Sequence, residues 1–164
     1  KMGFALPSAF FLAGLAFSPA ALKKEVVVSG WPALPYPFST GIIACLGPAG
    51  LPAACSLSLA GQQGFDFAAS PPALVAGGIA NETRQVLLNL AAVAEAASSS
   101  LDNMIECTVL LTDIKDFELM NSVYKTFFVG EGKVPPTRIA SQVASLAGTA
   151  VVEIKCSGWA PHPS

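Results

Sequence analysis

The chain has 164 residues, of which 52% are hydrophobic and 12% are charged, and its formal net charge is -2 at pH 7. This length and apolar content suffice for one domain with a buried core and exclude an intrinsically disordered chain. With nine Lys and Arg in all, the composition excludes a strongly basic surface, so we expect no nucleic-acid partner.

The chain begins with an almost wholly apolar stretch at 4–22, which precedes two lysines. Two prolines and a glycine within it disfavour a membrane-spanning helix, so we expect no membrane association. A secretory signal and an organelle-targeting extension are alternatives. We treat residues 1–22 as an extension of unknown role and 23–164 as a single domain, and we expect a cytoplasmic location unless the extension is a targeting segment.

Short strands and two amphipathic helices alternate along the rest of the chain. We expect an α+β fold in which a mixed sheet carries both helices on one face. In chain order, the sequence predicts a strand at 26–28, a hairpin strand within 57–67, a helix at 81–97, a strand at 104–111, a helix at 116–128, and strands at 135–143 and 150–156.

Apolar periodicity defines one buried face on each predicted helix. Asn81 is positioned to cap the first helix, whose apolar face is formed by Val86, Leu87, Leu90, Val93 and Ala94. The second helix has an apolar face formed by Phe117, Met120, Val123, Tyr124 and Phe127.

Four cysteines, Cys45, Cys55, Cys107 and Cys156, lack C-x-x-C spacing, and His162 is the one histidine. We therefore expect no metal site. Cys107 and Cys156 lie in predicted strands, where reduced cysteines often serve as small buried hydrophobes. Cys45 and Cys55 would pair in a secreted protein, but reduced thiols are our expectation.

Arg138 and Glu153 lie on the last two predicted strands. If these strands form an antiparallel hairpin folded near Ser145 and Leu146, the two side chains lie opposite each other on one face. A guanidinium binds a carboxylate with two parallel hydrogen bonds, and a nearby glutamate can transfer a proton to or from water. The alternative is a structural cross-strand salt bridge.

Five segments carry a resemblance to a known family, and two more extend it upstream. The five are GGIANETRQVLLNL at 77–90, LDNMIECTVLLTD at 101–113, DFELMNSVY at 116–124, PTR at 136–138 and VEI at 152–154. Over about residues 60–160 the chain resembles the reactive intermediate deaminase (Rid, or YjgF) family. Upstream, AGQQGFD at 60–66 is similar to the family's Ser-Gly-Gln segment and LPY at 34–36 to its Gly-Pro-Tyr.

The resemblance implies a fold, an assembly and an activity. The fold is chorismate-mutase-like, and the assembly is a homotrimer with a central barrel-like core and sites in the clefts between subunits. The activity is hydrolysis of reactive enamines and imines, such as 2-aminoacrylate, 2-iminopropanoate and 2-iminobutanoate, to 2-oxo acids and ammonia. It requires no cofactor and serves to control metabolite damage.

The resemblance also implies roles for five residues. Arg138 holds the substrate carboxylate, and Glu153 handles the proton of the attacking water. Asn121 hydrogen-bonds the ligand or braces Arg138, although a solvent-facing asparagine is the alternative. Gly61 offers its backbone N–H to the carboxylate, with a strand kink as the alternative, and Tyr36 closes the pocket.

Three positions depart from the family pattern: Ala60 stands where members often have serine, Ala140 where many have cysteine, and Lys155 where they have a second acid. A non-catalytic homologue that binds small carboxylates or partner proteins is therefore an alternative. The endoribonuclease or translation-inhibitor activity often attached to the family is a third, which the small number of basic residues disfavours.

Overall fold

A computed structural model describes residues 20–33, 37–47 and 55–163 of the chain. Most of these residues form a six-stranded mixed sheet and two α-helices; the sequence predicts the mixed sheet and both helices, but not the strand at Gly41–Gly47. The strands are β1 (Ala20–Val26), β2 (Gly41–Gly47), β3 (Cys55–Leu59), β4 (Phe65–Asp66), β5 (Ala73–Leu74), β6 (Met104–Leu111), β7 (Thr137–Gln142) and β8 (Val152–Ala160), and the helices are α1 (Gly78–Ala96) and α2 (Phe117–Phe128).

Most element predictions are confirmed, and two are wrong in detail. The bounds of β6 are those predicted, and α2 begins one residue later than predicted. The strand predicted at 26–28 lies earlier, since β1 ends at Val26 and begins within the residues assigned to the extension. The single strand predicted within 57–67 is two strands, of which β4 pairs with β5 in a separate two-stranded ribbon.

The strand order in the main sheet is β1-β2-β3-β8-β6-β7. Neighbouring strands are antiparallel except for β6 and β7, which are parallel. The chain passes from β6 through α2 to β7, and such a strand–helix–strand crossover joins parallel neighbours. Both helices pack on one face of the sheet. Every second residue of β3 and β8 is buried, and these residues form a single core with the buried residues of the helices.

The predicted hairpin of Arg138 and Glu153 is wrong. Strand β6 lies between β7 and β8, so these two strands are not hydrogen-bonded to each other. The crossover through α2 brings β7 to one side of β6, and β8 then occupies the other side, next to β3. The loop between β7 and β8 therefore passes over β6 instead of forming a hairpin turn.

The helix faces agree with the sequence patterns, but the predicted cap does not. All five apolar residues predicted for α1 and three of the five for α2 are buried, and Phe117 and Phe127 are partly buried against the core. Asn81 lies inside α1, where its amide donates to the carbonyl of Ala76 (2.9 Å). Gly77 occupies the N-cap with φ of 105°, a conformation that favours glycine.

The cysteines form two disulfides, Cys45–Cys55 and Cys107–Cys156, so the expectation of reduced thiols is wrong. Cys107 and Cys156 are directly opposite each other on β6 and β8, with Cα atoms 4.1 Å apart. Side chains of directly opposed residues point to the same face of a sheet, which brings the two sulfur atoms together.

Within the described ranges, neither helix is long and apolar enough to cross a membrane.

Candidate active site

Glu153 meets two residues of the segment that follows β3. The amide Nε2 of Gln63 donates to Oε2 of Glu153 (2.9 Å). At Gly61 a Cβ atom would lie 3.0 Å from Cδ of Glu153 and closer still to Oε1, so any side chain there would displace the carboxylate. We call Gly61, Gln63 and Glu153 the acid half-site.

A β-bulge explains how the chain passes the acid half-site. Ser58 pairs with Ser157, whereas Gln62 pairs with Ile154, so the register moves by one residue between them. Such an extra residue bends a strand and favours glycine where the backbone is irregular. Gly61 lies in this bulge, which also fits the strand kink considered from the sequence.

Arg138 lies on the other side of β6 and contacts the rings of α2. Its guanidinium carbon is 4.5 Å from the ring centroid of Tyr124 and 5.6 Å from that of Phe117. A cation over two aromatic faces is attracted electrostatically and held in orientation. Asn121 is four residues after Phe117 and three before Tyr124, so it shares their helix face. We call Phe117, Asn121, Tyr124 and Arg138 the arginine half-site.

Tyr124 is 5% exposed, and its hydroxyl has no hydrogen-bond partner among the residues that the structure describes. Burial raises the pKa of Tyr124 to about 12, while the positive charge of Arg138 opposes that rise. The phenol is therefore neutral near pH 7 and contributes its ring face to Arg138.

The two half-sites do not meet within one chain. Arg138 pairs with Cys107 and Glu153 with Leu110, and these partners are three residues apart on β6. Side chains separated by an odd number of residues point to opposite faces of a sheet. Arg138 faces the helices and Glu153 faces away from them. The strands that carry the two residues are roughly 10 Å apart across the sheet, and the two positions differ by about 10 Å along the strand direction.

Two cavities of the described residues are lined by neither Arg138 nor Glu153. One of about 400 Å³ lies between β1, the end of α1 and residues 161–163, and another of about 290 Å³ lies between the helices. In the described residues, no three His, Cys, Asp or Glu side chains group closely enough to hold a metal ion. Tyr36 lies outside the described residues.

Sequence reasoning missed Gln63 and the ring contacts of Arg138. Gln63 directly follows the Gly-Gln pair, and this position next to a glycine in a predicted strand was the available signal. The strand–helix–strand order around α2 was a second signal, since it predicts that β7 lies beside β6 and α2.

Comparison with known proteins defines the class to which this α+β fold belongs. The sequence model described as Endoribonuclease L-PSP matches residues 52–158. The rat protein named 2-iminobutanoate/2-iminopropanoate deaminase is 41% identical over 100 residues, which are 61% of this chain and 69% of that protein. The human protein of the same name is 38% identical over the same shares.

Solved structures agree with the sequence comparisons. RidA from a Psychrobacter species is 29% identical with a TM-score of 0.66, over 83% of this chain and 98% of that one. TdcF from E. coli with bound serine is 27% identical with a TM-score of 0.67, over 82% and 97% of the two chains. The chain therefore belongs to the reactive intermediate deaminase (Rid, or YjgF) family.

Proposed function

We propose that the protein hydrolyses small 2-imino acids and their enamine tautomers to 2-oxo acids and ammonia without a cofactor. The observation that carries this proposal is the contact of the Glu153 carboxylate with Gly61 and Gln63. It places a proton-transferring group beside a backbone segment that has no intervening side chain. The name of the rat relative and the serine bound to TdcF support 2-aminoacrylate, 2-iminopropanoate and 2-iminobutanoate as substrates.

In the proposed reaction, Arg138 binds the substrate carboxylate and Glu153 accepts a proton from water. The water oxygen bonds to the imine carbon, and the proton passes to the substrate nitrogen. The hydroxyl proton of the resulting carbinolamine then passes to the nitrogen as the carbon–nitrogen bond breaks, so that ammonia leaves and the carbonyl of the 2-oxo acid forms. The backbone N–H of Gly61 and the side chains of Asn121 and Tyr36 are proposed to position the substrate. Removal of reactive imines gives the protein its proposed role in controlling metabolite damage.

We propose that the site is completed between subunits of a homotrimer. The half-sites point to opposite faces of one chain, so one small substrate needs Arg138 and Glu153 from different copies. The sheet face away from the helices also exposes apolar side chains that a second copy would cover: Ile139 and Trp159. Three sheets around a central barrel-like core would cover this face.

The test is release of ammonia and 2-oxo acid from freshly generated 2-aminoacrylate. We expect Glu153→Gln to lower kcat by about 100-fold, because general acid–base catalysis is lost. Arg138→Ala should lower kcat/KM by about 100-fold, mainly through KM, because the bound carboxylate loses its charged partner.

Arg84→Ala and Glu95→Gln are matched controls at exposed positions of α1 and should keep wild-type rates. A folded wild type that does not accelerate the reaction would contradict the proposal. Carboxylate binding without turnover would then favour the non-catalytic alternative.

A further inference from the structure

Gln63 is a neutral donor that contacts one oxygen of Glu153. An ionised carboxylate only accepts hydrogen bonds, so the amide nitrogen of Gln63 is the atom that faces it. We propose that Gln63 is a positioning residue that holds Oε2 of Glu153, which leaves Oε1 to exchange the proton with water. This inference rests on the proposed function of Glu153.

The backbone that carries Gln63 is fixed on the strand side. The residue before it, Gln62, is buried and exchanges two backbone hydrogen bonds with Ile154, of 2.9 and 3.0 Å. Ile154 is the neighbour of Glu153 on β8. The backbones that carry the Gln63 donor and the Glu153 carboxylate are therefore hydrogen-bonded to each other one residue away from these two side chains.

The same backbone is also fixed on the helix side. Asn89 on α1 is 3% exposed and donates to the carbonyls of Gln63 (3.2 Å) and Phe65 (2.9 Å). The Oδ1 atom of Asn89 accepts from Gln85 (3.0 Å), so both its donor hydrogens and its acceptor are engaged. Buried bonds of this kind are costly to break, so the turn holds Gln63 in one place.

Gly61 defines the other side of the carboxylate. A Cβ atom at this position would overlap Glu153, and Oε1 is the carboxylate atom nearest to it. The carboxylate therefore lies between an amide donor on its Oε2 side and bare backbone on its Oε1 side. Gly61 lets Oε1 pack against bare backbone, whereas Gln63 occupies the space next to Oε2.

The first test is the kinetics of Gln63→Met, which keeps the length of the side chain but removes the donor. We expect kcat to fall about 10-fold while KM changes by less than about twofold, because only the geometry of proton transfer is disturbed. The matched control is Gln142→Met at an exposed position of β7, which should keep wild-type kcat. Unchanged kcat in Gln63→Met, or equal losses in the two variants, would overturn the inference.

The second test does not depend on activity. A double-mutant cycle compares urea unfolding of the wild type, Gln63→Met, Glu153→Met and the double variant at one protein concentration. We expect the two changes to be coupled by about tenfold or more in the unfolding constant, as for a hydrogen bond to a charged group. Independent effects would overturn the inference. If the wild type fails to deaminate imines, the proposed function fails, and this cycle alone decides whether Gln63 holds Glu153.

Discussion

Tyr124 combines a buried hydroxyl without a partner among the described residues and a ring that lies under Arg138. The sequence pattern predicted that Tyr124 is buried, because it lies on the apolar face of a periodic helix. It could not predict the contact with Arg138, because that contact depends on where β7 docks beside α2. The same holds for Gly61 and Glu153, whose proximity depends on a bulge and whose roles stay predictions.

Tyr124 should make the stability of the protein fall at high pH. Its pKa is about 12 in the folded chain and 10.0 without the fold, so between these values the unfolded chain loses the proton first. The contribution of the protonated Tyr124 side chain to stability is thus fully present below pH 10 and is lost as the pH rises toward 12. Tyr124→Phe should retain about 2 kcal/mol more stability than the wild type near pH 12, relative to their difference at pH 8.

Urea unfolding of both proteins at pH 8 and at several values above pH 10 would measure this difference. Parallel losses in the two proteins would contradict it. Tyr124→Phe should also be about 1 kcal/mol more stable at pH 8, because it removes a buried hydroxyl without a hydrogen bond.

At the scale of elements, local patterns predicted strands and helices better than they predicted strand pairing. Strand β6 and helix α2 were predicted well, because in each segment the apolar residues recur at a single period and the sequence marks where the segment begins and ends. The pairing of β7 was wrong because the short β7–β8 loop favoured a hairpin, whereas the crossover through α2 determines which strand lies beside β6. A local sequence pattern does not show whether the hairpin or the crossover determines the pairing of β7.

The disulfides show the same limit. Cys107 and Cys156 are separated by 49 residues, and their spacing matches no metal or redox motif. Only the register of β6 against β8 brings them together, and register is a property of the assembled sheet.

The two disulfides should differ in how much they stabilise the fold. The Cys107–Cys156 link spans 49 residues and the Cys45–Cys55 link spans 10. A cross-link that closes a longer loop removes more entropy from the unfolded chain. Replacing both cysteines of the longer link by alanine should therefore destabilise the protein by about 1.4 kcal/mol more than the same change at the shorter link.

Urea unfolding of the two double variants measures this difference under oxidising conditions. Each serves as the control for the other, since all four cysteines are buried and both variants lose two sulfur atoms. Equal destabilisation, or a larger effect at the shorter link, would contradict the prediction.

At the scale of the whole molecule, one chain presents the acid half-site and the arginine half-site on opposite faces. The sequence pattern predicted Arg138 and Glu153 on one face of a hairpin, and this prediction is wrong, since one residue of register reverses a face. Apolar composition also does not count subunits. The proposed trimer follows from the geometry of the half-sites together with the family.

The proposed trimer predicts that two inactive variants will complement each other. When Arg138→Ala and Glu153→Gln chains are assembled together in equal amounts, about a quarter of the sites should contain both native residues, for random assembly of a cyclic trimer. The mixture should therefore recover roughly a quarter of wild-type activity.

Co-expression with two different tags allows isolation of the mixed trimers, in which one site of three contains both native residues. Their rate in the deaminase assay should therefore be about a third of the wild-type rate. Trimers assembled from either variant alone are the controls. Mixed trimers without recovered activity would contradict a site shared between subunits.

The two disulfides also divide the sheet into two units with different resistance to opening. One links β2 to β3, and the other links β6 to β8. Between these units, β3 and β8 pair from Cys55–Ala160 to Ser58–Ser157 without a disulfide, because the other two links use all four cysteines. When the sheet opens partially, we expect β3 to separate from β8. Strands β1 to β3 would then leave together, with β2 and β3 joined by one disulfide, while β6 and β8 stay joined by the other.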